Sequence, residues 1–415
     1  MRTHKCKGMQ DFAPAKMRRF RLIEGVFRTS CLNWGYEEVR TPTLEYLHLF
    51  TSTGTLTPSR LEKVYSFLDW DGWSGERVVL RPEGTIPIAR LYIDNMAEQE
   101  IAKLFYIANI FIFEETGEKT RERWQCGGEF IGTNSTAVDV ELMVLALEVL
   151  QKLKLKGVKL RLSHAGLIRA LLADFGLSPA EQTRVFDRIL DGDSEVLSRA
   201  RPEKPELGRA IASLLDLKGK SAGFLKNIRS LLSQDLPELT PPLNDFISIV
   251  ELLEEMGVSS EIDITSGRDF EYYTGLIFQL FADNESIGGG GRYDALIPLM
   301  GSKAIPASGF ALYLDRLMDL AKMDTPTTPS RQRVLVKAMS RKTEVLKEAF
   351  AIVRRLHEEG YTAGVLPGSQ EPPAAGWLVE VREETPGLVL TDQESKNSLK
   401  ARNISELLKI MASDG

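Results

Sequence analysis

A chain of 415 residues exceeds what one hydrophobic core usually serves, so two or three domains are expected. Its 43% hydrophobic and 27% charged residues suit an ordinary soluble globular protein, and a net charge of -6 gives no general attraction for nucleic acid, although a local basic surface stays open. Cys6, Cys31 and Cys126 lack metal spacing, the four histidines are scattered, and no apolar run nears membrane-spanning length, which argues against a disulfide framework, a zinc site and a membrane span.

The opening, MRTHKCKGMQDFAP, has no apolar stretch of the kind an export signal needs, so a cytoplasmic protein is expected. Its Pro-containing turn leads into an amphipathic helix with Phe20, Ile23, Val26 and Phe27 at helical spacing. Strand pieces follow in YEEVRTPTLE, then in KVYSFLDW and RVVLRPEG around the turn DWDGWSGE. Residues 85–95 read as a helix. Next comes a hairpin from Asn109 to Gly132, in which Phe111 and Phe113 alternate with Ile110 and Ile112 at strand period. Its turn is crowded with Glu114, Glu115, Glu118, Lys119, Arg121, Glu122 and Arg123. The returning strand places Gln125 and Glu129 on one face, with Gly127 between them.

Val138 to Lys152 reads as a strongly apolar helix and GVKLRLSH as a strand. From about Gly166 to Gly257 the pattern becomes successive amphipathic helices, an all-helical insertion in a mixed chain. EIDITSG, YYTGLIFQLF and IGGGGRYDAL return to strand and turn, and IPASGFALYLDRLMDLA runs from strand into helix. TPTTPSRQR, residues 325–333, is a Pro/Thr-rich linker that separates a domain over 1–324 from one over 334–415. The latter alternates strand and helix as a small α/β domain of roughly 80 residues.

Three segments could carry chemistry. In LRPEGT, Glu83 and Thr85 either cap a helix or point into a pocket and hold an ammonium, two evenly balanced readings. Gly288 to Gly291 do not match the phosphate-cradling GxxxxGK[ST] loop, and alone they read as a flexible turn. In GRDFEYYTG, Arg268 either clamps a carboxylate with its fork of donors or pairs with Asp269 or Glu271 at the surface. Tyr272 and Tyr273 would face opposite sides of a strand. Taken together, Glu83, Gln125, Glu129, Arg268 and a tyrosine form a compact polar set. It offers carboxylates for an ammonium and a ring N–H, and a guanidinium for a carboxylate. That suits a free amino acid with a nitrogenous side chain.

On these segments the chain resembles the histidyl-tRNA synthetase family over nearly its whole length. GMQDFAP is similar to the family's N-terminal turn, and GYEEVRTPTLE to motif 1, which builds the dimer interface. VLRPEGT, Gln125-x-x-x-Glu129, RDFEYYTG and GGGGRYDAL resemble the histidine-binding segments, and SGFALYLDRL resembles motif 3. The resemblance implies an α+β class II synthetase fold: a six-stranded antiparallel sheet with flanking helices, a helical insertion and a C-terminal α/β anticodon-binding domain. It also implies a homodimer, and contacts to L-histidine from Glu83, Thr85, Arg121, Gln125, Glu129, Arg268, Tyr272 and Tyr273.

The nucleotide side departs from the family. Where those synthetases carry an arginine that grips the α-phosphate of ATP, this chain has Ile112. Losing such a contact typically costs on the order of a hundred-fold or more in rate. Glu115 stands where another arginine is expected, and acids beside a triphosphate are repulsive. Tyr313 replaces a glycine that leaves room beside the adenine, while Arg316 of motif 3 is retained. Glu380, Glu383 and Glu384 disfavour an anticodon stem, although Arg382 lies among them, so tRNA is not an expected partner.

An intact histidine pocket beside a degenerate ATP site is similar to the regulatory subunits of ATP phosphoribosyltransferase. That resemblance implies a non-catalytic histidine sensor with no cofactor or metal, assembled with a short-form catalytic subunit. An active but divergent histidine–tRNA ligase, with Arg121 or Lys119 replacing the missing arginine, is the alternative. A third reading is an amino-acid-binding paralogue acting with an unrelated partner.

Overall fold

Proline at the first helical position pre-sets the backbone of α1 (Pro14–Asn33), whose inward stripe holds Phe20, Ile23 and Phe27 at the expected spacing. The computed structural model describes residues 4–53, 61–70, 75–113, 120–173, 177–190, 218–232, 236–264, 272–321, 333–366, 376–383 and 387–413. Contacts divide the chain into two units, Met1–Asp324 and Thr325–Gly415.

In the first unit, α1 is followed by β1 (Glu37–Glu38), β2 (Leu44–Tyr46), α2 (Leu47–Ser52), β3 (Ser66–Trp70) and β4 (Gly75–Leu80). Strands β2, β4 and β3 form a small antiparallel sheet in that order. Helix α3 (Thr85–Asn95) leads to the long hairpin of β5 (Ala102–Phe111) and β6 (Glu122–Ile131). Next come α4 (Thr136–Lys152) and β7 (Lys159–His164). The region read as a helical insertion contains α5 (Ala165–Ala173), α6 (Pro179–Leu190), the two-residue β8 (Lys218–Gly219), α7 (Ala222–Leu232) and α8 (Thr240–Glu255). The unit continues with β9 (Ser260–Asp263), β10 (Leu276–Ala282), β11 (Glu285–Arg292), α9 (Leu296–Leu299), β12 (Ala307–Tyr313) and α10 (Leu314–Leu320).

Among the described residues the main sheet runs β1-β5-β6-β12-β11-β10-β7-β9-β8. Its six middle strands, β5 to β7 in that order, are each antiparallel to their neighbours. This is the six-stranded sheet implied by the resemblance, widened at its edges because β1 joins β5 and β9 joins β7 in parallel. The sheet is covered on both faces. Consecutive Leu104, Phe105 and Tyr106 are all buried, as are Leu276, Ile277 and Phe278, which is why these strands read as apolar runs.

The glycine run is strand β11 in mid-sheet, not a flexible turn. An added Cβ at Gly290 would lie 2.1 Å from the Gly309 carbonyl oxygen, and one at Gly291 would lie 2.2 Å from that of Leu276. Backbone crowding, not turn geometry, demands the glycines.

The second unit contains β13 (Arg333–Ala338), α11 (Thr343–Glu358), β14 (Thr362–Leu366), β15 (Trp377–Val381), β16 (Leu388–Asp392), β17 (Ser398–Ala401) and α12 (Ile404–Ser413). Its sheet runs β14-β13-β15-β16-β17, with β13 parallel to both neighbours and the other pairs antiparallel. Helix α11 buries Val345, Ala349, Ile352 and Leu356 at helical spacing against Val334, Val336 and Val379. Nearly all of the 325–333 linker lies outside the described residues. Among those described, no helix is long and apolar enough to cross a membrane, and no group of His, Cys, Asp or Glu side chains is arranged to hold a metal ion.

Candidate functional site

The pairing of β5 with β6 sets Gly127 directly opposite Tyr106. A Cβ at Gly127 would fall 2.3 Å from Tyr106 Cζ, so the tyrosine ring occupies the gap between Gln125 and Glu129. Gly84, the N-cap of α3, meets the same ring from the other side, with a Cβ there 2.3 Å from Tyr106 Cε2.

Glu83, one residue before the N-cap, caps the helix with its side chain. Its carboxylate accepts from the backbone N–H of Thr85 at 2.7 Å and of Ile86 at 2.8 Å, satisfying two orphan donors of α3. Thr85 instead turns its hydroxyl to Glu129, donating to Oε1 at 2.9 Å. Of the two readings of LRPEGT, the helix cap is what Glu83 does, while Thr85 faces the Glu129 carboxylate.

Glu129 is 1% exposed. The Tyr293 hydroxyl donates to its other oxygen, and Gly309 on β12 leaves the carboxylate room, since a Cβ there would lie 1.6 Å from Oε2. Burial pushes the Glu129 carboxyl up to about 8, against the donors Tyr293 and Thr85 and with the help of the nearby Glu83 charge. Such a group is suited to receive an N–H or a cation.

Tyr272 and Tyr273 precede β10 in a turn, so they do not alternate across a strand as expected. Their rings stack at 4.8 Å, and Tyr272 meets Tyr293 edge-on at 5.6 Å. Burial raises all three phenols far above their ordinary range and keeps them neutral. Behind Tyr293, the Arg292 guanidinium bridges Asp139 on α4 and Asp245 on α8, the latter at 2.8 Å. Ser308 donates to Asp139 at 3.0 Å, and His164 Nε2 lies 3.1 Å from Asp245. Burial lifts Asp139 to about 6 despite the pull of Arg292.

The fold therefore gathers Glu83, Thr85, Glu129, Tyr272 and Tyr273 around one buried cluster, with Gln125 buried on the same face of β6. Arg121 is not drawn into it. It precedes β6 by one residue, about 26 Å from Glu129 by strand rise. Its N–H donates to the Gly8 carbonyl at 2.8 Å and its guanidinium lies 4.3 Å from the Phe113 ring centroid. Ile112 follows β5 and donates its N–H to the Arg121 carbonyl at 2.8 Å. Tyr313 pairs with Gln125 across β12 and β6. Arg316 is engaged at the surface by Glu285 at 2.8 Å. In the second unit Arg382 bonds Glu380 at 2.5 Å and Lys342 bonds Glu383 at 2.6 Å, so part of that acidity is neutralised locally. Arg268, Glu115, Lys119 and Glu384 lie outside the described residues.

Sequence reasoning passed over Tyr106 and the ion-pair network of Arg292, and held Tyr293 and Gly309 only as parts of GGGGRYDAL and SGFALYLDRL, without a role of their own. Their roles depend on strand register and on helices far apart in the chain.

The model of the histidyl-tRNA synthetase family matches residues 8–317. The chain is 50% identical to an ATP phosphoribosyltransferase regulatory subunit of Dehalococcoides mccartyi over 98% of both chains, and 48% identical to that of another strain. It is 31% identical to a histidine–tRNA ligase of Archaeoglobus fulgidus, over 88% of this chain and 86% of the other. Among solved structures, a histidyl-tRNA synthetase from a Nostoc species shares the fold at a TM-score of 0.74 and 16% identity, with both chains fully covered. A Bacillus halodurans protein described as an ATP phosphoribosyltransferase regulatory subunit/histidyl-tRNA synthetase shares it at 0.75 and 24% identity, covering 89% of this chain and 94% of that one.

Proposed function

Because the chain belongs to the histidyl-tRNA synthetase family, on the branch of the ATP phosphoribosyltransferase regulatory subunits, we propose that it is a non-catalytic, histidine-sensing regulatory subunit of that enzyme. One observation carries the reading. In a chain 50% identical to such subunits, buried Thr85, Gln125 and Glu129 beside the half-buried Glu83 stand with Ile112 and Tyr313 where ATP would need an arginine and an open space. The cluster supplies a carboxylate for an imidazole N–H at Glu129, with Thr85 and Tyr293 orienting it. Arg268 supplies the donor fork for the ligand carboxylate. Ile112 offers no charge to the α-phosphorus at the position where the resembled synthetases carry an arginine.

In this role the protein acts in the cytoplasm, in the first step of histidine biosynthesis, with a short-form catalytic subunit. Histidine binds one arrangement of the complex better and so shifts it toward inhibition. A homodimer through the segment that resembles motif 1 is supported by the small sheet containing β2. There Leu44, Tyr46 and Phe67 are exposed on one face and Leu68 and Trp70 on the other, large apolar side chains that a partner could cover.

The test is histidine-dependent ATP–pyrophosphate exchange by the purified protein, run beside co-purification with the short catalytic subunit. The expected result is association without exchange. Robust exchange would instead support the divergent ligase, the reading that the Archaeoglobus fulgidus relative favours.

A further inference from the structure

A ligand that reaches both Gln125 and Glu129 must cross the strand position between them, because Cys126 and Gly128 face the other way. That position, Gly127, has no side chain of its own and is roofed by Tyr106. The ring is held from two sides. Cβ atoms at Gly127 and Gly84 would each come within 2.4 Å of its hydroxyl oxygen. Tyr106 is 3% exposed, and its hydroxyl has no hydrogen bond of normal geometry although Thr85, Glu83, Glu129 and Tyr272 are near. The surface on which such a ligand rests is therefore the Tyr106 ring.

We propose that Tyr106 is the specificity-determining floor of the amino-acid site. Its ring sets the depth between Gln125 and Glu129, so that an amino acid with an unsubstituted imidazole fits and one with a methyl group on a ring nitrogen does not. The glycines at 84 and 127 belong to the same device, since a Cβ at either position would come within 2.3 Å of the ring and displace it. The inference rests on the reading of this cluster as a histidine site. It adds the residue that measures the ligand.

Titration calorimetry on the full-length protein tests it, with L-histidine and its two N-methylated forms as probes. Wild type should bind histidine and reject both methylated forms by about tenfold or more. Tyr106→Phe keeps the ring and should preserve that preference. Tyr106→Leu lowers the floor, so histidine affinity should fall about tenfold while the preference narrows by a similar factor. Gly127→Ala should weaken histidine binding by displacing the ring, and adding Tyr106→Leu to it should restore affinity, because the new methyl then fills vacated space. The Gly127→Ala pair gives an answer even if Tyr106→Leu alone fails to fold. An unchanged histidine-to-methylhistidine ratio in Tyr106→Leu, or effects that simply multiply in the double variant, overturns the floor while leaving the histidine site standing. No histidine binding by wild type overturns both.

Discussion

The Thr85 hydroxyl donates to Glu129 Oε1 at 2.9 Å, tying the first turn of α3 to strand β6. With Tyr293 donating to the other oxygen, both carboxylate oxygens are occupied by neutral hydroxyls. Among the described residues no cation pairs with Glu129. The group is satisfied by hydrogen bonds but not by charge, and that sets its response to pH.

Burial raises the Glu129 carboxyl from 4.5 to about 8. The folded state therefore holds this proton where the unfolded chain releases it. The stability contributed by the protonated form is complete below pH 4.5 and is lost as pH rises through about 8. Glu129→Gln cannot ionise and lacks this slope. Relative to wild type, the variant should gain about 1–3 kcal/mol between pH 5 and pH 9. Urea denaturation at the two pH values measures the difference, and equal shifts in both proteins would contradict the burial argument.

Arg292 supplies the countercharge for two acids, and the Asp139 side chain is fully buried. Arg292→Ala strands that carboxylate and should cost about 3–5 kcal/mol near pH 8. Asp139 already sits at about 6 with the arginine in place and moves higher without it. It can therefore take up a proton, and the penalty should shrink at pH 5. A loss independent of pH would assign the effect to lost packing instead.

What the sequence revealed and what it hid follow from the range of each interaction. The stripe of α1 and the apolar run of β5 are local patterns, legible from side chains a few positions apart. Gln125 and Glu129 share a face by the same rule. Tyr106 over Gly127 depends on the register between two strands, which periodicity does not specify. The glycine run carries no side-chain pattern, so it read as a turn although its neighbours' carbonyls force a crowded strand. The tyrosine pair misled because alternation was applied to a turn. The Arg292 network joins Asp139, Asp245 and Ser308, from separate helices and a strand. No window of sequence contains it.

The ligand carboxylate makes a separate prediction. A bidentate guanidinium–carboxylate pair is among the stronger recognition contacts, and loss of one buried charge partner costs about 2–5 kcal/mol. Arg268→Ala should therefore abolish measurable histidine binding in calorimetry and leave the thermal unfolding of the free protein within a few degrees of wild type. Unchanged affinity would mean that a different residue receives the carboxylate.

The last prediction concerns the exposed hairpin of β3 and β4. Trp70 is 63% exposed and Leu68 55%, and every residue of β3 is open to solvent. Leu68 and Trp70 share one face of the hairpin and crowd Gly75, where a Cβ would lie 2.9 Å from both side chains, so this face is set by packing within the hairpin. Covering a large apolar side chain is worth about 1.5–3 kcal/mol, and a twofold interface counts each residue twice. Trp70→Glu in the full-length chain would place a charge in the proposed interface at each symmetry-related position. Sedimentation should show a shift from dimer to monomer, with the circular dichroism spectrum unchanged because Trp70 contributes little to the monomer's own core. A dimer that survives Trp70→Glu at micromolar concentration would locate the self-association surface away from this sheet.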